Sequence, residues 1–260
     1  ACELHGYSPG IGMRYLDGTL FEPGFSLEGA ASYAIAIDRY IRETGDDQIV
    51  EEPIVADTLY GSHEDIVARR NENVPLFSTE ITPGGRPAAF PYTLHGNAVA
   101  AMALDVFRRT LDEETSAGVE DPAAVRAALQ RHFSRDREGK SILMSAVNLT
   151  GEAVADDEPA ASVVWLPMYE TVERNDSAYR RTVRTLDREP RVLAQQIARL
   201  LGPDAKEVMQ WLRRAPLHNG LAAEETDAEG RATSNGGDAS LAGLLAYTLW
   251  YAVHALGVTP

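Results

Sequence analysis

Apolar residues at Leu27, Ala31, Ala34, Ile35 and Ile41 fall on one face of a helix, at the recurrence of about 3.6 residues per turn. Ser26 stands where a side-chain oxygen can cap the first turn, and Gly45 where a left-handed residue ends it, so a helix is predicted from Ser26 through about Arg42. A second helix is predicted over Asp47 to Arg70 from Ile49, Val50, Ile54, Leu59 and Val67, with Pro53 shortening or kinking its first turn. Together they make a helical hairpin. A third helix runs from about Tyr92 to Leu111, with small residues Ala98, Ala100, Ala101 and Ala103 that allow close helix contact. Asp121-Pro122, a capping residue followed by proline at the first helical position, opens a fourth carrying Val125, Leu129 and Phe133.

The same reading continues to the end of the chain. Helices are predicted at about Ala160 to Val172, Ser177 to Leu186, Pro190 to Leu201 and Pro203 to Arg214. The last runs from Ala239, capped by Asp238, to Leu256, closed by Gly257. Little alternates with the period of two that strands require, so the fold class is all-α, built of antiparallel helical hairpins. The connections at 71–91, 138–158 and 215–237 are much longer than the intervening turns and define the expected functional face.

Composition narrows the function. With 260 residues and 44% hydrophobic content the chain can bury a sizeable core, and no apolar run is long enough to cross a bilayer. Acidic residues outnumber basic ones 39 to 24, a net charge of −15, which argues against a nucleic-acid partner. Of the basic residues only Lys140 and Lys206 are lysines, a balance that suits either solubility in concentrated salt or a coding bias toward arginine. The single Cys2 excludes an internal disulfide and a cysteine-rich zinc site. His63-Glu64-Asp65 lacks the second histidine one turn on, so no metal is expected. The absence of a Gly-x-Ser-x-Gly elbow and of a phosphate-cradling glycine loop removes serine hydrolases and nucleotide binders. A cytoplasmic protein without cofactor is expected, beginning at Ala1 within what reads as the middle of a longer chain.

Asp156 and Asp157 end a loop beside Pro159, which suits a first helical turn, and this junction of paired carboxylates with a helix start favours carbohydrate chemistry. The alternative use of both acids is to solvate the loop or cap the helix. Aromatic residues Trp165, Tyr169, Trp250 and Tyr251 divide between sugar-stacking faces and core packing.

Several segments, in the same order, resemble glycoside hydrolase family 125, the metal-independent exo-α-mannosidases. Asp156-Asp157-Glu158-Pro159-Ala160-Ala161-Ser162-Val163-Val164-Trp165-Leu166-Pro167 is similar to that family's Asp-Asp-Ala-Asn-Val-Pro-Ser-Leu-Leu-x-Leu-Pro, and Tyr179-Arg180-Arg181-Thr182 to its Tyr-x-x-Thr-Arg. Pro91 to Asn97 resembles its Tyr-x-Ile-Pro-x-Asn segment, with Asn97 the matching asparagine. Asn219-Gly220-Leu221-Ala222-Ala223-Glu224 resembles Asn-Gly-Leu-Ile-His-Glu. The resemblance implies an (α/α) barrel of the six-hairpin glycosidase type, with residues 1–260 as a single domain forming the central and C-terminal part of a longer catalytic domain. It implies an inverting α-mannosidase acting on an oligosaccharide or glycoconjugate, with Glu224 as general base and Asp156, Asp157, Asn97 and Asn219 binding the sugar.

Two features depart from the family. Its acid lies in a Pro-Ser-Asp-Asp stretch, which falls here on Pro83, Gly84, Gly85 and Arg86, so the expected acid shifts to Glu80, with Asp157 as a second candidate. Its N-terminal Trp-Leu-Arg-Asp-Ser segment has no counterpart here. Another α-barrel glycosidase of glucoamylase or debranching type, and a catalytically silent carbohydrate-binding relative, remain as alternatives.

Overall fold

A computed structural model describes residues 8–15, 17–155 and 158–186, together with shorter stretches between 191 and 253. The chain divides into two compact units, Ala1–Ser134 with Met144–Asp156, and Arg135–Leu143 with Asp157–Pro260.

The first unit begins with a hairpin of β1 (Ile11–Arg14) and β2 (Leu20–Phe25), which leads directly into α1 (Leu27–Thr44). The caps of α1 are those the sequence specifies: Ser26 Oγ accepts the Gly29 N–H at 3.0 Å, and Gly45 closes the helix at φ 74°. Leu27, Ala30, Ala31 and Ala34 are buried. The single helix expected over 47–70 is divided, with a 3-10 turn at Gln48–Glu51 and α2 over Pro53–Val67. Proline supplies the reason: it holds Glu52 in extended backbone (ψ 123°) and has no N–H to continue the earlier turn.

Next come α3 (Leu94–Thr110), the short α4 (Glu113–Gly118) and α5 (Pro122–Phe133), with Thr93, Asp112 and Asp121 as side-chain caps. Side-chain pairs fix the helix directions. Glu28 meets His95 near the starts of α1 and α3, while Asp38 pairs with Arg109 farther along both, so these two helices run parallel. Ser62 of α2 donates to the Ala30 carbonyl, and Arg126 of α5 pairs with Asp105 of α3, so each outer helix runs antiparallel to its partner. Ala98, Ala100, Ala101 and Ala103 are fully buried, which is why α3 can pack against α1 and α5 together.

The helix-rich expectation holds, with short β pairings added to it. Tyr92–Thr93 (β3), Ala146–Val147 (β6) and Ala153–Val154 (β7) form a three-stranded antiparallel sheet with β6 central. Ser134–Arg137 (β4) and Lys140–Leu143 (β5) form a hairpin whose turn places Glu138 and Gly139 at positive φ. Strands of two to four residues are too short to leave a period-two signal.

In the second unit, the predicted helix at 160–172 is instead two 3-10 segments, Pro159–Ala161 and Val163–Tyr169. Ser162 is extended between them, and Pro167 lacks the N–H an α-helix would use. Val163, Val164, Trp165, Leu166, Met168 and Tyr169 are all buried, so Trp165 and Tyr169 belong to the core and not to a sugar platform. The predicted helix at Ser177–Leu186 is present as α6. Its Thr182 Oγ1 accepts the Leu143 N–H at 2.8 Å, and Arg181 Nε donates to the Ser141 carbonyl at 2.9 Å, so side chains of α6 satisfy the edge of β5. Beyond it, Arg191–Val192 (β8) pairs with Glu225–Thr226 (β11), so the segment expected to begin a helix at Pro190 includes a short strand. α7 spans Ala205–Leu212, and Leu217–His218 (β9) pairs with Leu221–Ala222 (β10). Most of the helix predicted at 239–256 lies outside the described residues. Among the described residues no helix is long and apolar enough to cross a membrane.

His63 on α2 is buried and meets the Phe107 ring edge-on, with centroids 5.3 Å apart. Desolvation holds its pKa below the usual value, against a weaker opposing pull from Glu64. The fold therefore favours the neutral imidazole. Its contribution is fully present above the unfolded pKa near 6.5 and is lost as pH falls through the folded pKa, because the unfolded chain takes the proton first. The difference in urea midpoint between wild type and His63→Leu is expected to shift against wild type on going from pH 7.5 to pH 5. A difference that stays constant across that range would show that His63 does not titrate with unfolding.

Candidate functional site

Parallel α1 and α3 bring two capped helix starts to the same end of the first unit, and the 71–91 connection is fastened across them. Asn97, in the first turns of α3, is fully buried and holds the connection by the backbone of one residue. Its Oδ1 accepts the Phe77 N–H at 2.7 Å, and its Nδ2 donates to the Phe77 carbonyl at 2.9 Å and the Thr93 carbonyl at 3.0 Å. A further fastening comes from buried Thr79, whose Oγ1 accepts the Leu27 N–H at the start of α1 and lies within bonding distance of the Phe25 and Ile81 carbonyls. The polar atoms of Asn97 are thus engaged by the protein itself.

Glu80 lies on this connection and is half exposed. Its Oε2 accepts the Phe25 N–H at 2.9 Å, and its Oε1 pairs with Arg69 Nη1 at 2.6 Å, while the Arg69 guanidinium stacks 4.5 Å from the centre of the Phe25 ring. Arg69 first, and then the Phe25 N–H, hold the Glu80 carboxyl below its usual pKa; burial opposes them weakly. Both partners favour the anion, which is the opposite of what a proton donor near neutral pH requires. Residues 82–86, where the resembling family carries its acidic pair, form a tight turn here. Thr82 N–H donates to the Arg86 carbonyl, Gly85 N–H to the Thr82 carbonyl, and Gly85 has φ 75°.

A different carboxylate lies between the helix starts. Glu28, the second residue of α1, is buried, and its Oε1 is 3.2 Å from Nδ1 of buried His95 on α3. Glu28 Oε2 is buried without a hydrogen-bond partner among the described residues. Gly96 makes the approach possible, since a Cβ there would stand 3.0 Å from Glu28 Oε1 and 2.6 Å from Thr93 Oγ1. From sequence, Glu28 reads as one more acid complementing a helix dipole. Only the docking of α3 distinguishes it.

Asp156, Asp157, Asn219 and Glu224 lie outside the described residues. Of the expected site residues, the structure therefore brings Asn97 and Glu80 to one connection. Among the described residues no group of three or more His, Cys, Asp or Glu could hold a metal ion.

No protein-family model and no curated protein sequence matches this chain. Solved structures do. A metal-independent α-mannosidase of Streptococcus pneumoniae, solved in a non-productive complex with α-1,6-mannobiose, matches at 12% identity and TM-score 0.72, covering 96% of this chain and 74% of that one. A family 8 endoglucanase of Klebsiella pneumoniae matches at 12% identity and TM-score 0.51, covering 98% of this chain and all of that one. The chain is thus helix-rich and similar in fold to these two enzymes.

Replacing Asn97 with Ala leaves the Phe77 N–H and C=O buried and unpaired, at a cost of about 1–3 kcal/mol for each orphaned group. Asn97→Ala is expected to lower stability by roughly 3 kcal/mol in chemical denaturation and to speed proteolytic cutting between residues 71 and 91. A loss below about 0.5 kcal/mol, the usual size of a neutral surface change, would refute the anchoring role.

Proposed function

We propose that this protein hydrolyses terminal α-linked mannose from oligosaccharides or glycoconjugates, as a cytoplasmic inverting enzyme needing no metal. Residues 1–260 are taken as one domain of an (α/α) barrel. The observation that carries this reading is the fold likeness to the Streptococcus pneumoniae α-mannosidase over 96% of the chain. The Asp156-Asp157 and Asn219 to Glu224 segments, occurring in the order of family 125, add to it.

Inversion needs two carboxyl groups roughly 6.5–9.5 Å apart, one protonating the leaving oxygen and one activating water on the opposite face of the sugar. In this reading Glu224 is the base, and Asp156, Asp157 and Asn219 hold the sugar. Asn97, proposed from the resemblance as a further sugar ligand, contributes by fixing the 71–91 connection. Glu80 serves as the acid only when substrate displaces Arg69, because the ion pair otherwise keeps the proton off; Asp157 is the other candidate. A catalytically silent carbohydrate-binding protein is the second reading, favoured by the Thr82–Arg86 turn and the anchored Glu80. The likeness to an endoglucanase keeps a different sugar specificity as a third.

Glu224→Gln is expected to lose about a hundredfold or more in kcat/KM on aryl α-mannosides. Loss of the acid, tested by Glu80→Gln and Asp157→Asn, should matter far less for a 2,4-dinitrophenyl leaving group than for a methyl one, since the former departs without a proton. Wild-type protein that releases no sugar from aryl mannosides or glucosides while binding mannose would establish the silent reading instead.

A further inference from the structure

We infer that the β4–β5 hairpin and α6 form a binding face for an acidic saccharide, one carrying a carboxylate or a phosphate; this rests on the carbohydrate reading above and names a charged class of glycan for it. Acids outnumber bases 39 to 24 in the chain, yet β4, its turn, β5 and α6 together hold six basic residues and two acids. The hairpin concentrates that charge at a cost to itself. Its two-residue turn, with Glu138 and Gly139 both at positive φ, sets Arg137 across from Lys140. Like charges directly opposite destabilise a strand pair, and a hairpin serving structure alone would gain from an acid at either place. Both side chains are exposed, and neither has an ion-pair partner among the described residues.

Arg181 reaches the same hairpin from α6. It is half-buried, and neutral oxygens orient it: Nε donates to the carbonyl of Ser141, the residue after Lys140, at 2.9 Å, and Nη2 donates to Ser177 Oγ at 3.3 Å. Six arginines of the first unit, by contrast, are paired with Asp or Glu. A guanidinium held in place by uncharged partners keeps its full charge and further N–H groups for an oxyanion, which it takes in fork geometry. Two nearby acids are engaged by backbone: Asp136 accepts the Gly139 N–H at 2.9 Å, and Asp176 caps α6 through the Tyr179 N–H at 2.8 Å. Glu138, in the turn itself, opposes the three cations. A polynucleotide is the competing polyanion. The net charge of −15 repels a long strand, whereas a single carboxylate or phosphate on a glycan meets only the local field.

The experiment is calorimetric titration of the whole chain at low salt with oligogalacturonate, which carries carboxylates, with a mannose phosphate, and with single-stranded oligothymidylate, beside thermal melting of each variant. One or both acidic saccharides are expected to bind, and which of them does so assigns the carboxylate or the phosphate. The double variant Arg137→Gln with Lys140→Gln, and the single variant Arg181→Gln, are each expected to weaken that binding about tenfold or more, the size of a charge-assisted hydrogen bond. Relief of the Arg137–Lys140 repulsion leaves the double variant melting no lower than wild type, so its lost affinity is not lost fold and it gives the answer should Arg181→Gln fail to fold. Unchanged affinity in the double variant, no binding of either acidic saccharide, or tighter binding of oligothymidylate overturns the inference while leaving the glycosidase reading intact. Wild-type protein that neither binds nor hydrolyses any saccharide, neutral or acidic, overturns both.

Discussion

The parallel docking of α1 on α3 is the constraint from which the first unit follows. Two helix starts side by side present unpaired N–H groups and positive dipole ends in one place, an arrangement that needs acceptors and negative charge. Ser26 and Thr93 supply the caps, Glu28 supplies the charge, and Thr79 receives the Leu27 N–H. The 71–91 connection is tied to these helix starts by the Thr79 hydroxyl and by the Phe77 backbone held on Asn97. Asn97 reads the Phe77 peptide from both sides, a pairing that a shorter or apolar side chain could not make. Small residues on α3 are the other half of the constraint, since Gly96 and the buried alanines bring the helices near enough for short side chains to bridge them.

Much of this was legible before any coordinates. Ser26, Gly45 and Asp121-Pro122 mark helix ends by local chemistry, and those ends lie where the residues place them. Pro53 was visible as a breaker and Pro167 was passed over inside a predicted helix, and sequence does not say whether a proline kinks a helix, starts a new one or tightens it to 3-10. That outcome depends on the backbone of Glu52 and Ser162, which packing decides. The two-residue strands were beyond reach, because register needs partners such as Tyr92 and Val147 that are distant in the chain.

The site was legible in a different proportion. Asn97 stood out, but as a ligand for sugar; its three protein partners lie at Phe77 and Thr93, and nothing in a linear pattern names them. Glu80 stood out by elimination, and Arg69 with the Phe25 N–H changes its chemistry from donor to anchored anion. Glu28 went unmarked because acidic residues in a first turn are ordinary. Its significance is a property of the helix pair.

Glu80 and Glu28 show why counting carboxylates near a pair of helix starts is a weak guide to mechanism. The first is half exposed and has a partner on each oxygen: water screens its charge, and a guanidinium and a peptide N–H both stabilise the ionised form. The second is buried and under-satisfied, with a single imidazole contact. A carboxylate of the first kind spends its interaction energy on the fold, and a ligand must break an ion pair to use it. One of the second kind is sealed inside the fold, where its imidazole contact ties α1 to α3. At 12% identity a shared fold speaks for helix packing and not for the place of any one carboxylate, so the balance of partners around each acid is a better pointer to chemistry than its place in an alignment.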